Sequence, residues 1–247
     1  MVLNSLKTRF KKFLKYLGLG SVTTLLTVML GWGGFTGLGT IVRVEAAVSN
    51  APAVELSNSN ASQLVQEGLQ RYQSGQFAAA VTIWKQAIEA LAAQGNNPNG
   101  VPMERINRAM VLSNLALAYH QLGQWAEANG AIVRSLQLLQ SEGNVSDRIL
   151  HLKILAQALN TQGKLQLTQG QVEQALATWE KAGAAYQQVG DKTGVVRSLI
   201  NQAQALRVLG FYQRVNTTLE RANQILQDQP NSEIKAAGLL SFGDALR

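Results

Sequence analysis

Two histidines are the side chains of this chain best suited to metal binding or proton transfer. His120 and His151 are the whole histidine complement, and the 247 residues include no cysteine. A zinc site needs three or four His, Cys or acidic ligands at suitable spacing, and a thiol nucleophile or a disulfide framework needs cysteine. We therefore expect no metal, no cofactor and no enzymatic activity, with His120 at a wet helix end and His151 on the surface.

Glu173 and Glu180 form an acidic pair at helical spacing. Seven residues apart on a predicted helix, they share one face and lie about 10 Å apart along its axis. Hydrolysis by paired carboxyls needs a cleft and a raised pKa in one member, and the surrounding sequence predicts neither. We expect both side chains to be solvated at the surface.

The first 46 residues have the pattern of an export segment. Residues 1–16 carry five cations and no acid, residues 17–42 carry no charge, and small residues around Ala46 offer a cleavage region. This order is typical of a signal peptide, and the uncharged run is also long enough for a membrane anchor. Either alternative places the rest of the chain outside the cytoplasm, in the periplasm, the cell envelope or the medium. Residues 47–59 are small and polar and predict a flexible linker.

The net charge of +7 is concentrated in the same segment. Of 22 Lys and Arg and 15 Asp and Glu, residues 1–46 hold six and one, so residues 47–247 have a surplus of two cations. Nucleic-acid binding needs a basic face on the folded part, and this summed charge indicates none. We expect no nucleic-acid partner, and membrane contact only through the N-terminal segment.

The elements that would position a binding surface are repeated hairpins anchored on four glycines: Gly75, Gly123, Gly170 and Gly210. A small residue precedes each anchor by seven positions: Gly68, Ala116, Gly163 and Ala203. Five positions after the anchors come Ala80, Ala128, Ala175 and Val215, and nine positions after come Trp84, Ile132, Trp179 and Leu219. Glycine ends a helix in the left-handed conformation, and small residues let two helices approach closely. The pattern therefore predicts antiparallel helix pairs.

These positions resemble the tetratricopeptide repeat (TPR) consensus over about residues 60–247. The resemblance implies an all-α fold, a right-handed superhelical solenoid of antiparallel helix pairs. The anchor spacings of 48, 47 and 40 residues exceed the usual period of about 34 residues, which predicts longer helices and linkers. The expected pairs are 60–94, 103–141, 147–189 and 192–228. Residues 231–247 repeat the first-helix pattern as a half repeat, with Gly243 at the small-residue position.

The TPR resemblance implies that the first helices line a concave groove for a protein or peptide partner. The candidate groove residues change from apolar in the first pair to cationic in the fourth: Val65, Leu69, Tyr72, Asn114, Leu117, His120, Asn160, Lys164, Arg197, Asn201 and Arg207. We expect a non-enzymatic interaction scaffold outside the cytoplasm. Its partner would combine an apolar part with an acidic or carboxylate end near Lys164, Arg197 and Arg207.

A narrower resemblance gives an alternative function. An export segment followed by long repeats rich in Gln, Ala and Leu, as in NLALAYHQLGQWAEA and LNTQGKLQLTQGQVEQAL, resembles the N-terminal part of exported bacterial TPR/CHAT-domain proteins. In that family the array often precedes a caspase-like peptidase domain with a His–Cys dyad, which this cysteine-free chain does not contain. The alternative is therefore a truncated N-terminal targeting region of a larger CHAT-type protease or signalling protein.

Overall fold

The computed structural model describes residues 59–93, 101–140 and 148–227, all within one compact unit. These ranges form eight α-helices and no strand, which confirms the all-helical prediction for this part of the chain. The helices are α1 Ser59–Gln73, α2 Phe77–Ala93, α3 Val101–Gln121, α4 Trp125–Gln140, α5 Arg148–Thr168, α6 Val172–Gln188, α7 Lys192–Val208 and α8 Tyr212–Gln227. Each helix packs on the next along the chain, and α3 also packs on α5.

The observed pairs α1–α2, α3–α4, α5–α6 and α7–α8 begin and end within two residues of the ranges expected from the sequence. Other expectations lie outside the described residues: the export segment 1–46, nearly all of the linker 47–59, and the half repeat 231–247 with Gly243. Among the helices of the described ranges, none has the length and apolar character needed to span a bilayer.

The four hairpin turns share one backbone arrangement. In the first turn the Gly75 N–H donates to the Tyr72 carbonyl at 3.0 Å, and the Gln76 N–H donates to the Arg71 carbonyl at 2.8 Å. The equivalent two hydrogen bonds recur at Gly123, Gly170 and Gly210, where φ lies between 70° and 77°. This Schellman arrangement satisfies the last carbonyls of the first helix, and it needs a residue without a Cβ because φ is positive.

A fifth turn of this kind lies between two pairs, at Gly190, where the repeat pattern predicts no turn. Gly190 has φ 69°, and the Asp191 N–H donates to the Tyr186 carbonyl at 3.0 Å. The Asp191 carboxylate then caps α7 by accepting the Gly194 N–H at 2.9 Å. Helices α5 to α8 therefore follow one another through tight turns, which explains why the last anchor spacing is shorter than the first two.

In the first and third pairs, the small residue seven positions before the anchor glycine packs directly on the large residue nine positions after it. The Trp84 indole lies against Gly68, and a Cβ added to Gly163 would lie 2.5 Å from Trp179 Nε1. Each buried indole N–H donates to a carbonyl of its first helix, from Trp84 to Val65 at 3.2 Å and from Trp179 to Asn160 at 3.1 Å. Glycine and tryptophan therefore act as one unit of complementary size at these positions.

Pairs 2 and 4 use a different combination at the same positions. Alanine replaces glycine and an aliphatic residue replaces tryptophan, as Ala116 with Ile132 and Ala203 with Leu219, all of them buried. The alanine positions five residues after the anchors are fully buried as well, at Ala80, Ala128 and Ala175. Each pair therefore fills the space between its helices with a matched small and large residue.

The aromatic residue two positions after the anchor glycine is exposed in the second and fourth pairs. In the second pair this residue is Trp125. It is 44% exposed, and the equivalent Tyr212 is 68% exposed. Both residues begin a second helix directly after the turn, where the ring can project from the end of the hairpin.

Candidate partner-binding face

Positively and negatively charged residues are distributed unevenly between the first and the second helices of the pairs. The first helices α1, α3, α5 and α7 contain nine Lys and Arg but two Glu, whereas the second helices α2, α4, α6 and α8 contain five cations and five acids. The nearly balanced total charge of the folded part therefore hides an uneven distribution of charge between the two sets of helices. We call the surface formed by α1, α3, α5 and α7 the first-helix face.

The excess of positive charge is greatest on α5 and α7. The two acids of the first helices form ion pairs within their own helices, Glu67 with Arg71 at 3.3 Å and Glu104 with Arg108 at 3.6 Å. Helices α5 and α7 contain six cations and no acid. An anionic group approaching this part of the face is therefore attracted, and a cationic group is repelled.

Polar side chains hold neighbouring first helices in register. The Asn201 side-chain N–H donates to Asn160 Oδ1 at 2.8 Å, which joins α7 to α5. The buried Ser113 hydroxyl donates to Thr161 Oγ1 at 3.1 Å, which joins α3 to α5. Because these hydrogen bonds fix the spacing of α3, α5 and α7, side chains from three pairs can act on one bound segment.

The apolar candidates lie in the first two pairs. Val65, Leu69 and Leu117 are half-buried and pack on the hydrophobic core while keeping part of their surface exposed. Asn114 is also half-buried. Val65, Leu69 and Leu117 give the α1 and α3 part of the face a less polar character than the α5 and α7 part.

Tyr72 was predicted to line the groove, but the structure buries its side chain. Its side chain is 4% exposed, with ring centroids 5.3 Å from Phe77 and 5.8 Å from Trp84. These contacts place the ring in the core of the first pair, so Tyr72 does not line a groove.

The predicted cations lie on α5 and α7 with different exposure. Lys164 and Arg197 are half-buried and Arg207 is exposed. Arg197 lies close to Tyr186, where burial raises the pKa of the phenol to about 12 and the arginine charge opposes that rise. The Tyr186 ring also occupies the space where Gly194 lacks a Cβ, so α6 directly supports the α7 segment that carries Arg197.

His120 lies in the last turn of α3, as the sequence predicts, but its side chain is half-buried where α3, α4 and α5 meet and its ring nitrogens are not exposed to solvent. Its ring meets the Trp125 ring edge to face, with centroids 5.1 Å apart at 87°. Burial, with a smaller contribution from the charge of Lys164, lowers the pKa of His120 to about 4. The imidazole is therefore neutral at pH 7. Trp125 was not in the predicted set, although its position five residues after His120 across a turn could have indicated this contact.

The other residues considered for catalysis or metal binding are His151, Glu173 and Glu180. His151 Nε2 donates to the Leu139 carbonyl at 2.8 Å and so ties α5 to α4, which corrects its predicted surface role. Glu173 and Glu180 are exposed, and Glu180 lies 3.8 Å from Arg214 on α8. Within the described ranges, no group of three or more His, Cys, Asp and Glu side chains could hold a metal ion.

Comparison with known proteins agrees with this architecture. The tetratricopeptide repeat family model matches residues 109–129 and 156–181, which lie in α3–α4 and α5–α6. The chain has no match among curated proteins.

Solved structures share the fold at low sequence identity. BtubC (BKLC) from P. vanneervenii is 20% identical with a TM-score of 0.55, over 70% of this chain and 66% of that one. A Podosopora anserina protein with nearly identical TPR-like repeats is 19% identical with a TM-score of 0.54, over 74% and 83%. The apo form of RapI is 12% identical with a TM-score of 0.54, over 75% of this chain and 52% of that one. The family model matches parts of two helix pairs, and the solved structures show that the helices have a TPR-like fold.

Proposed function

We propose that this chain is a non-enzymatic scaffold that binds a segment of a partner protein on its first-helix face. The TPR-like repeats support a role in protein–protein interaction. The separation of charge supports this particular face, because nine cations and two acids lie on the first helices while the second helices are balanced. This charge separation is the observation that carries the proposal.

The proposed partner segment is part apolar and part acidic. Val65, Leu69 and Leu117 offer apolar surface at one end of the face, and Lys164, Arg197 and Arg207 offer positive charge at the other. Apolar contacts favour binding through burial of surface, whereas the charges set orientation and speed association. We place this binding outside the cytoplasm, a proposal that rests on the signal-like pattern of residues 1–46.

The test compares two variants with the same net charge. Lys164→Glu with Arg207→Glu reverses two charges on the first helices, and Arg134→Glu with Arg221→Glu reverses two exposed charges on the second helices. The probe is a fluorescent peptide with a leucine-rich half, a glutamate-rich half and a free C-terminal carboxylate, followed by fluorescence anisotropy. We expect the first-helix variant to weaken Kd by about tenfold or more, which corresponds to about 1.4 kcal/mol, and the second-helix variant to bind almost normally.

Two outcomes would overturn this proposal. Equal loss of affinity in both variants would show that net charge, and not the face, controls binding. Tighter binding of a single-stranded oligonucleotide than of the peptide at equal salt would replace the protein partner with a nucleic acid, since phosphate contacts also depend strongly on salt.

The alternative, a targeting region of a larger CHAT-type protein, remains a prediction from the export-and-repeat pattern of the sequence. Reading the coding sequence downstream of residue 247 tests it. A continuing TPR array followed by a His–Cys peptidase domain is the expected result, and an immediate stop codon would contradict it.

A further inference from the structure

At two positions of its turn, the fourth helix pair exposes apolar side chains where the other three pairs have polar ones. We call residues 208–212, which surround the anchor glycine of this pair, the fourth tip. Val208, Phe211 and Tyr212 are 60%, 49% and 68% exposed. The other pairs have polar residues at the positions of Val208 and Phe211: Gln73 and Gln76, Gln121 and Gln124, and Thr168 and Gln171.

The fold does not require apolar residues at these two positions. The Phe211 N–H donates to the Leu206 carbonyl at 2.9 Å, and a glutamine makes the equivalent backbone hydrogen bond in each of the other three turns. The contact of the fourth turn with the core comes instead from Leu209, which packs on the buried residues of the third and fourth pairs. A cluster of exposed apolar side chains without a role in packing is typical of a contact surface.

Neither a neighbouring helix pair nor a second copy of the chain suits this tip. The second pair packs on α2 before it and on α5 after it, yet Gln124 and Trp125 at its own tip remain exposed. A standard protein interface buries about 800 Å² on each partner, whereas one completely buried aromatic side chain supplies about 150 to 250 Å². Three side chains that are already partly buried cannot supply the area of a stable dimer.

The charges beside the fourth tip are positive. Arg207 lies in the last turn of α7 and Arg214 in the first turn of α8, and neither turn contains an acid. The Arg214 guanidinium lies 5.7 Å from the centroid of the Phe211 ring. Its ion pair with Glu180 at 3.8 Å joins two exposed side chains, so solvent screens it. The second helices of the second and third pairs have an acid in the first turn instead: Glu127 and Glu173.

We propose that the fourth tip is a lipid-binding site, which inserts Val208, Phe211 and Tyr212 into the surface of an anionic membrane. Burial of apolar side chains and attraction to anionic headgroups together stabilise such binding. The Tyr212 ring suits the headgroup level, where tyrosine is enriched in membrane proteins. Arg207 and Arg214 can keep their charges at the headgroups while their aliphatic stems lie along the apolar layer. This contact is additional to the one expected at the N-terminal segment.

A spin label beside the tip measures this insertion directly. The chain contains no cysteine, so Gln213→Cys, at an exposed position of the full chain, takes up a single nitroxide. Adding vesicles of equal parts phosphatidylcholine and phosphatidylglycerol should increase its collisions with oxygen and decrease those with a water-soluble nickel complex. Ala126→Cys is the matched control, because it is exposed at the same position after Gly123, and its label should not respond. A local label reports on the tip even when the N-terminal segment also binds the vesicle.

A double variant tests the apolar residues. Val208→Gln with Phe211→Gln gives the fourth tip the residues of the second, Gln121 and Gln124, and should abolish the response at position 213. Vesicles of phosphatidylcholine alone should give less than about half of the wild-type response, because the attraction of cations to anionic headgroups is lost.

No response at position 213, an equal response at position 126, or an equal response in the double variant would each overturn the site. An equal response to phosphatidylcholine alone would overturn its preference for anionic lipid. Spin–spin broadening at position 213 that grows with protein concentration in the absence of vesicles would assign the tip to a second copy of the chain instead. The double variant keeps Lys164, Arg197 and Arg207 and should bind the peptide normally, so this test is independent of the proposed function.

Discussion

Gly163→Ala is expected to lower the free energy of unfolding by about 2 to 3 kcal/mol, a large effect for the addition of one methyl group. The new Cβ would lie 2.5 Å from Trp179 Nε1, so the indole or the α5 backbone must move. Movement of the indole also breaks its hydrogen bond to the Asn160 carbonyl. Urea unfolding followed by circular dichroism measures this change.

Two variants control the Gly163→Ala measurement. Gly130→Ala adds the same methyl group inside α4, where nothing lies within 4 Å of the new Cβ, and should stabilise the chain by up to about 1 kcal/mol through helix propensity. In a Trp179→Leu background, Gly163→Ala should cost nothing, because the combination then matches Ala203 with Leu219 in the fourth pair. A similar loss in the wild-type and Trp179→Leu backgrounds would show that the indole is not the cause.

Trp84→Ala is expected to destabilise the chain by about 3 to 5 kcal/mol. The ring is fully buried, packs beside Tyr72, and donates to the Val65 carbonyl. Its loss leaves a cavity and removes the indole hydrogen bond to the Val65 carbonyl. Thermal unfolding should show a fall in Tm of several degrees.

Trp125→Ala is the matched control for Trp84→Ala, since it removes the same side chain from a position that is 44% exposed. We expect a loss below about 1 kcal/mol. Comparable losses at the two positions would contradict the assignment of Trp84 to the core and of Trp125 to the surface.

The helix pairs could be predicted from the sequence because their turn and packing requirements are local. A positive φ selects glycine at Gly75, Gly123, Gly170 and Gly210, and close helix packing selects small residues at fixed offsets. Gly190 makes the same turn but joins two pairs, so the residues after it follow the first-helix pattern and the offsets of a second helix are absent. A search keyed to one packing pattern therefore does not detect this turn.

The candidate site was less predictable, because side-chain direction and charge placement depend on the three-dimensional arrangement. Tyr72 has the position of a groove residue, yet contacts with Phe77 and Trp84 turn its ring into the core. The total charge of residues 47–247 is nearly balanced, and the basic first-helix face emerges only after cations and acids are assigned to individual helices. The Asn160–Asn201 hydrogen bond joins residues 41 positions apart, and no local pattern indicates it.

The measurement that tests the central claim most directly is the location of the bound peptide. A photo-crosslinking amino acid replaces Gln204, exposed on α7, or Gln137, exposed on α4. The peptide with a leucine-rich half and a glutamate-rich half is added before irradiation. Binding on the first-helix face predicts a crosslink from position 204 that excess unlabelled peptide removes, and no crosslink from position 137. A competed crosslink from position 137 with none from position 204 would contradict the account.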